Sequence, residues 1–331
     1  MKKIFSVLVY LIAFNASAQF SAVKVNSKVY SDTQTVQVKL PSSYTSNNTR
    51  NYPILYVLHG QWDSAYIDAT LDAMASNVPE FIVVAIPSKG AQLHPITSNS
   101  SNPPASLFRQ YLSQELIPYV HKHYRSAKYS VLVGHSNAGK FALEQFLKGN
   151  TQFTDYFAFS PSMDDGYLVE LAAKGKALSG SLFMSVADEG EHMQAPFEKL
   201  ATHFTQQKHL NFSAKQYPGY GHQDSKLIAF VDALKFRYNK WQPSYEEKVA
   251  GFDSYFNHYK HLEKTYGFQV LPQKDDVLRL IAYFAVHEKP SEVKLFTDYL
   301  QKHFDDAEQS IVELREYLLA EGYDGAVKLL I

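Results

Sequence analysis

One stretch constrains this chain more than any other: residues 129–147, YSVLVGHSNAGKFALEQFL. A continuous apolar run, Val131-Leu132-Val133, stops at Gly134-His135-Ser136-Asn137-Ala138-Gly139. Apolar residues at helical spacing (Phe141, Ala142, Leu143, Phe146, Leu147) follow at once. The pattern predicts a strand, a sharp turn and a helix, with Ser136 at the apex. A turn of that kind strains the serine backbone and lifts its hydroxyl clear of the sheet. It also needs small residues two positions to either side, so that strand and helix can approach closely. Gly134 and Ala138 occupy those positions. The five-residue pattern occurs by chance in surface turns; its position between an apolar strand and a helix makes Ser136 a candidate nucleophile.

At 331 residues the chain is long enough for one large domain and a smaller one. A net charge of −1 with 20% charged residues argues against nucleic acid or an anionic membrane surface as partner. There is no cysteine, which removes disulfides, thiol catalysis, cysteine metal sites and a lipid-bearing cysteine. Lys2 and Lys3 precede an apolar run over residues 4–14, and Ala16-Ser17-Ala18 offers a small-x-small cleavage site before Gln19. That run is far short of the ~20 residues that span a bilayer. Residues 1–18 therefore read as a signal peptide, with no membrane span, and the mature chain is expected to be exported, periplasmic or secreted.

The mature chain opens with two segments, 22–30 and 33–40, that alternate polar and β-branched residues around Ser31-Asp32, as an antiparallel edge pair does. Fully apolar runs at 53–58 and 81–86 read as strands covered on both faces, with helical spacing between them at 65–75. A Ser/Asn/Pro-rich loop at 88–104 leads to a helix at 105–124, in which Pro118 predicts a break near Ile117. After the elbow come strands at 156–159, 182–187 and 210–217, separated by helical stretches and closed by a helix at 225–238. This alternation predicts an α/β domain, residues 19–240, with a mostly parallel sheet and helices on both faces. Residues 241–331 hold only helical runs. At an offset of 34, Leu280 pairs with Leu314, Tyr283 with Tyr317 and Val293 with Val327, the period of tetratricopeptide repeats. A generic helical extension explains the tail equally well.

A serine hydroxyl needs a base within hydrogen-bond reach, itself oriented by a carboxylate. On this topology the acid and then the histidine follow the serine, each in a loop after a later strand. His222 lies five residues past the strand ending at Tyr217 and is the candidate base. The loop after residues 182–187 offers Asp188, Glu189 and Glu191 as the acid, with Glu189 favoured for its place just past the strand. The oxyanion needs backbone donors; the amide of Asn137, at the start of the elbow helix, and that of Gln61, after the 53–58 strand, are the candidates. Trp62 and Tyr220 are candidate substrate-pocket walls. His121 and His123, two apart on a helix, face different ways and cannot share a metal. With no glycine-rich phosphate loop or dinucleotide fingerprint either, no metal and no cofactor are expected.

Residues 50–240 resemble the esterase family of α/β-hydrolases that includes esterase D and enterochelin-esterase-like enzymes. The likeness rests on residues 52–60 (YPILYVLHG), 115–119 (ELIPY), the elbow at 129–139, 159–162 (FSPS) and Gly221-His222. Exported members with tetratricopeptide-like tails look similar over the whole mature chain. The resemblance implies the α/β-hydrolase fold and ester hydrolysis through Ser136 and His222, with an acid in the 188–191 loop, Glu189 being the best match. Three positions depart from the family pattern: His59 stands where Asp is usual, Ala138 where Gly is usual, and the loop at 87–95 lacks the Arg and Asp often found there.

The leading reading is a serine esterase acting on a small-molecule ester, whether aryl, siderophore-like or an acylated sugar. The alternatives are an acyltransferase using the same triad, and an idle hydrolase-fold scaffold whose helical tail recruits a partner protein or a second copy.

Overall fold

The structure, a computed structural model, describes residues 19–45, 47, 49–95, 103–175 and 177–330. The expected signal peptide, residues 1–18, lies outside the described residues. The chain forms two compact units. One comprises Gln19–Leu40 and Asn51–Asn239; the other comprises Lys240–Ile331 together with the segment Pro41–Arg50.

The first unit is built on one eight-stranded sheet in the order β1-β2-β4-β3-β5-β6-β7-β8. Its strands are β1 (Ser21–Ser27), β2 (Asp32–Lys39), β3 (Tyr52–Leu58), β4 (Ile82–Ile86), β5 (Ser126–His135), β6 (Asp155–Phe159), β7 (Ser179–Ala187) and β8 (His209–Tyr217). β1 pairs antiparallel with β2, and β2 with β4; the remaining pairs are parallel. Every residue of β3, β4 and β6 is buried, which is why these strands read as unbroken apolar runs. β1 alternates exposed and buried residues, as a strand with one wet face must. The initial hairpin thus forms the antiparallel edge anticipated from its alternation.

Helices cover the sheet in two groups. Asn137–Leu147 packs on β5 and β6, and Glu191–Thr205 on β7 and β8. Gly60–Ala73 packs on β4 and β3, Ser225–Tyr238 on β6 and β7, and these last two helices touch each other. The helix after β3 begins at Gly60, five residues before the apolar spacing suggested, because His59 turns the chain in the left-handed conformation directly into it. The helix break anticipated near Ile117 takes a different form. Pro103–Gln110 runs into a π-helical segment, Tyr111–Leu116, and then into Ile117–His123, with the Ile117 amide bonded to the Leu112 carbonyl. Pro118 has no N–H to offer the preceding turn, and widening that turn by one residue absorbs the loss without ending the helix.

In the second unit the helices are Tyr245–Val249, Phe252–Tyr266, Lys274–Val286, Pro290–His303, Ala307–Ala320 and Asp324–Val327. Aromatic rings supply much of its core: Phe252 and Phe256 pack against Phe296, which stacks on Phe284 at 5.5 Å. Leu280 and Leu314 are both buried and lie at like places in Lys274–Val286 and Ala307–Ala320.

Strand β5 and the elbow helix approach so closely that a Cβ on Gly134 would lie 2.2 Å from the Ala138 carbonyl oxygen and 2.8 Å from the Gly139 amide nitrogen. Both are backbone atoms and cannot swing away. Gly134→Ala is therefore expected to lower stability by about 3–5 kcal/mol, read as a fall in the urea midpoint by tryptophan fluorescence; an unchanged midpoint would contradict this packing.

Candidate active site

Ser136 stands between β5 and the helix Asn137–Leu147 at φ 59 and ψ −123. A non-glycine residue there stores about 1–3 kcal/mol, and it persists only where its surroundings over-determine it. Three backbone hydrogen bonds do so: the Ser136 amide donates to the Phe159 carbonyl at 2.9 Å, while the Ser136 carbonyl accepts from Lys140 at 2.9 Å and Ser162 at 3.2 Å. Gly139 is pressed against the same loop, where a Cβ would meet the Phe159 oxygen at 2.9 Å. Ala138 is fully buried. The tight contact in this elbow falls on Gly134 and Gly139, and the extra methyl of Ala138 is accommodated in the core. The Asn137 amide opens the helix without an intrahelical acceptor, as first-turn amides do.

His222 lies in the loop between β8 and the helix Ser225–Tyr238. Its Nδ1 is paired with Glu189 Oε1. Of the three acidic candidates, Glu189 is the one that reaches it. Asp188 donates its amide to the Tyr220 carbonyl at 2.9 Å and accepts the Gly219 amide at 3.5 Å, so it ties the acid loop to the histidine loop. Glu191 sits in the first turn of Glu191–Thr205, where a carboxylate favours the helix dipole. His222 makes no hydrogen bond to the Ser136 hydroxyl, and among the described residues its Nε2 has no partner. Such bonds are often long before substrate binds.

His135, the residue before Ser136, lies with its ring 4.4 Å from that of His222 and its Nε2 2.7 Å from the His222 carbonyl oxygen. A carbonyl only accepts, so Nε2 carries the hydrogen. Burial, reinforced by the nearby His222, pushes the His135 imidazole down to about 3 and keeps it neutral. His135 thus pins the histidine loop to the elbow strand.

The loop after β3 is fixed from below. The His59 amide donates to Ser88 Oγ at 2.9 Å, and the Gln61 side chain brackets Ser88, donating to its carbonyl at 2.8 Å and accepting its amide at 3.1 Å. Gly60 lies against β4, where a Cβ would sit 2.5 Å from the Ile86 amide nitrogen. Beside this loop and Ser136 opens a cleft of ≈ 380 Å³, lined by His59, Trp62, Asp63, Gly90, His135, Ser136, Asn137, Gln223 and Lys226. Trp62, 66% exposed, packs edge-on against His59 at 5.1 Å. Gln61 and Tyr220 are not among the lining residues; Tyr220, 40% exposed, packs against Tyr217. Burial lowers the His59 imidazole below its ordinary range and raises the Asp63 carboxyl above its own. Among the described residues no group of three or more His, Asp or Glu is placed to hold a metal ion.

Of the residues singled out from sequence, Ser136, Asn137 and Trp62 line this cleft, and Glu189 and His222 form a pair beside it. Sequence reasoning marked His59 only as a departure from the family pattern and missed His135, Asp63, Ser88 and Lys226. His135 carried a signal, since it precedes the elbow serine inside the motif; Asp63 and Lys226 carried none, being 163 positions apart.

The family model described as "Putative esterase" matches residues 27–226, more than half of the chain. An IroE-like serine hydrolase from Shewanella oneidensis is similar in structure over 91% of this chain and 100% of its own, at a TM-score of 0.68 and 21% identity. A siderophore hydrolase, EstB, from Aspergillus nidulans matches 68% of this chain and 95% of its own at a TM-score of 0.56 and 18% identity. The enterobactin and salmochelin hydrolase IroE matches 66% of this chain and 94% of its own at a TM-score of 0.54 and 24% identity. No curated protein matches the chain. At these identities the structural likeness speaks for the fold, which is α/β-hydrolase-like with a helical C-terminal region.

The buried neutral His135 has a consequence for stability. An unfolded histidine takes a proton near pH ~6.5, whereas His135 in the folded chain resists it until about pH 3. Between those values the unfolded state binds more protons, so stability falls as pH drops. Going from pH 7 to pH 5 should cost up to about 2 kcal/mol through His135 alone. His135→Gln is expected to lose less across that interval in urea melts; an equal loss in both proteins would contradict a neutral, buried His135.

Proposed function

This chain belongs to the Putative esterase family, and from that premise we propose that it is a serine hydrolase cleaving small-molecule carboxylic esters through an acyl-enzyme on Ser136. The observation that carries the reading is the pairing of His222 Nδ1 with Glu189 beside a serine held in a strained elbow. With Nδ1–H donated to Glu189, the lone pair of His222 sits on Nε2, which has no partner among the described residues. Ser136 Oγ attacks the ester carbonyl carbon, and its proton passes to His222 Nε2. The tetrahedral oxyanion is held by the amide of Asn137, which lines the cleft beside Ser136, a donor contributing about 3–4 kcal/mol to lowering the barrier. Collapse breaks the bond to the alcohol, which leaves with the proton from His222. Water then repeats the sequence on the acyl-enzyme, with His222 as base, and releases the acid and free Ser136.

The neutral state of His135 supports this arrangement. A charged imidazole 4.4 Å from His222 would oppose the imidazolium that forms during acylation. Residues 1–18 fit this reading as a leader removed before Gln19, which N-terminal sequencing of the exported protein would test.

On 4-nitrophenyl acetate, Ser136→Ala is expected to lower kcat by about 10⁵–10⁶ and Glu189→Gln by about 10³–10⁴. Glu191→Gln should change it by less than about threefold, since Glu191 serves its own helix. Undiminished turnover in Ser136→Ala would remove the mechanism, and a larger loss in Glu191→Gln than in Glu189→Gln would reassign the acid.

A further inference from the structure

The lining of the cleft carries an ion pair that the triad chemistry does not use. Lys226 Nζ donates to Asp63 Oδ1 at 2.7 Å and to Gln223 Oε1 at 3.3 Å, and it lies 5.3 Å from the face of the Tyr66 ring. Asp63 stands in the first turn of Gly60–Ala73 and Lys226 in that of Ser225–Tyr238, the two helices that pack on each other. Their side chains are 4% and 17% exposed. A pair removed from water to this degree recovers little net stability from its own attraction. Packing alone therefore gives no strong reason to keep it on the wall of a reaction cleft.

The pair is also incompletely used. An ammonium has three hydrogens, and Lys226 commits two. Among the described residues, Asp63 Oδ2 has no protein partner and neither ring nitrogen of His59 is hydrogen-bonded. The wall thus presents a spare donor and a spare acceptor side by side, next to a neutral imidazole that offers one of each. The exposed indole of Trp62 flanks them.

Charge decides which group fits. A carboxylate or phosphate drawn to Lys226 would lie against the Asp63 carboxylate, and a cation drawn to Asp63 would meet Lys226. At cleft dielectric either clash outweighs what the matching half contributes. A hydroxyl suffers neither penalty, because it accepts from Lys226 and donates to Asp63 at once. Several adjacent hydroxyls would also engage His59, with their C–H face on Trp62. We propose that Asp63 and Lys226 are specificity-determining residues that select esters bearing an uncharged, hydroxyl-rich alcohol, such as an acylglycerol or an O-acyl sugar. This rests on the serine-hydrolase reading above and names the substrate class of that same site.

The test compares butyrate esters on the full-length mature chain: propyl butyrate and 2,3-dihydroxypropyl butyrate, which share a three-carbon alcohol, with 6-O-butyrylglucose and the butyrate ester of glycolate, which carries a carboxylate. The dihydroxypropyl ester is expected to exceed propyl butyrate at least tenfold in kcat/KM, mostly through KM, with the glycolate ester poorest. Whichever of the glycerol and glucose esters is faster identifies the source of the hydroxyls. Lys226→Met should bring the hydroxyl preference close to one. Should that variant fold poorly, the wild-type ratio decides alone, and Asp63→Asn with Lys226→Gln, which keeps the volume but removes both charges, repeats the comparison. A flat wild-type ratio, or a preference for the carboxylate ester, overturns the proposal. Stoichiometric fluorophosphonate labelling of the same preparation separates the two readings. Labelling with a flat ratio removes the hydroxyl preference alone, whereas no labelling takes down the hydrolase reading and this one with it.

Discussion

The conformation of one residue governs the rest of the site. At φ 59 and ψ −123 Ser136 points its side chain away from the sheet, and only a neighbourhood that leaves it no alternative can hold it there. The Phe159 carbonyl, the Ser162 amide and the helix amide of Lys140 supply that neighbourhood. The segment that follows β6 is itself held in place. Ser160 has φ 35, its amide donates to the Ser185 carbonyl at 2.9 Å, and its hydroxyl accepts the Ala187 amide at 3.1 Å. Hydrogen bonds thus link the elbow through the segment after β6 to the end of β7, the strand that precedes Glu189.

The same linkage explains why acid and histidine meet. Asp188 does not touch His222, yet its amide and carboxylate tie the loop after β7 to the loop after β8. His135 clamps the histidine loop from the other side, through the His222 carbonyl. The position of the His222 ring is therefore set by contacts at its backbone as well as by Glu189 at Nδ1. Ser88 performs the corresponding service for the loop after β3.

Much of this was legible in the sequence because it is local. The elbow turn and the buried strands are written within short windows whose periodicity and turn residues have direct physical meanings. Boundaries were less legible. β7 begins at Ser179 although its apolar residues begin at Leu182, because ladder pairing with β8 extends past the part that is buried. The choice among Asp188, Glu189 and Glu191 could not be made from composition, since it depends on which side chain turns back across the loop. Least legible were Asp63 and Lys226, which meet because two helices far apart in sequence pack together. The grouping of Pro41–Arg50 with the C-terminal helices was hidden for the same reason.

The proposed nucleophile is the strained Ser136. The most direct measurement is mass-spectrometric mapping of the adduct formed when the folded protein reacts with a fluorophosphonate. The account predicts a single adduct on the peptide bearing Ser136, lost when the protein is unfolded in urea beforehand, because the strained backbone and His222 act only together. An adduct on another residue, or one formed equally well by the unfolded chain, would contradict it.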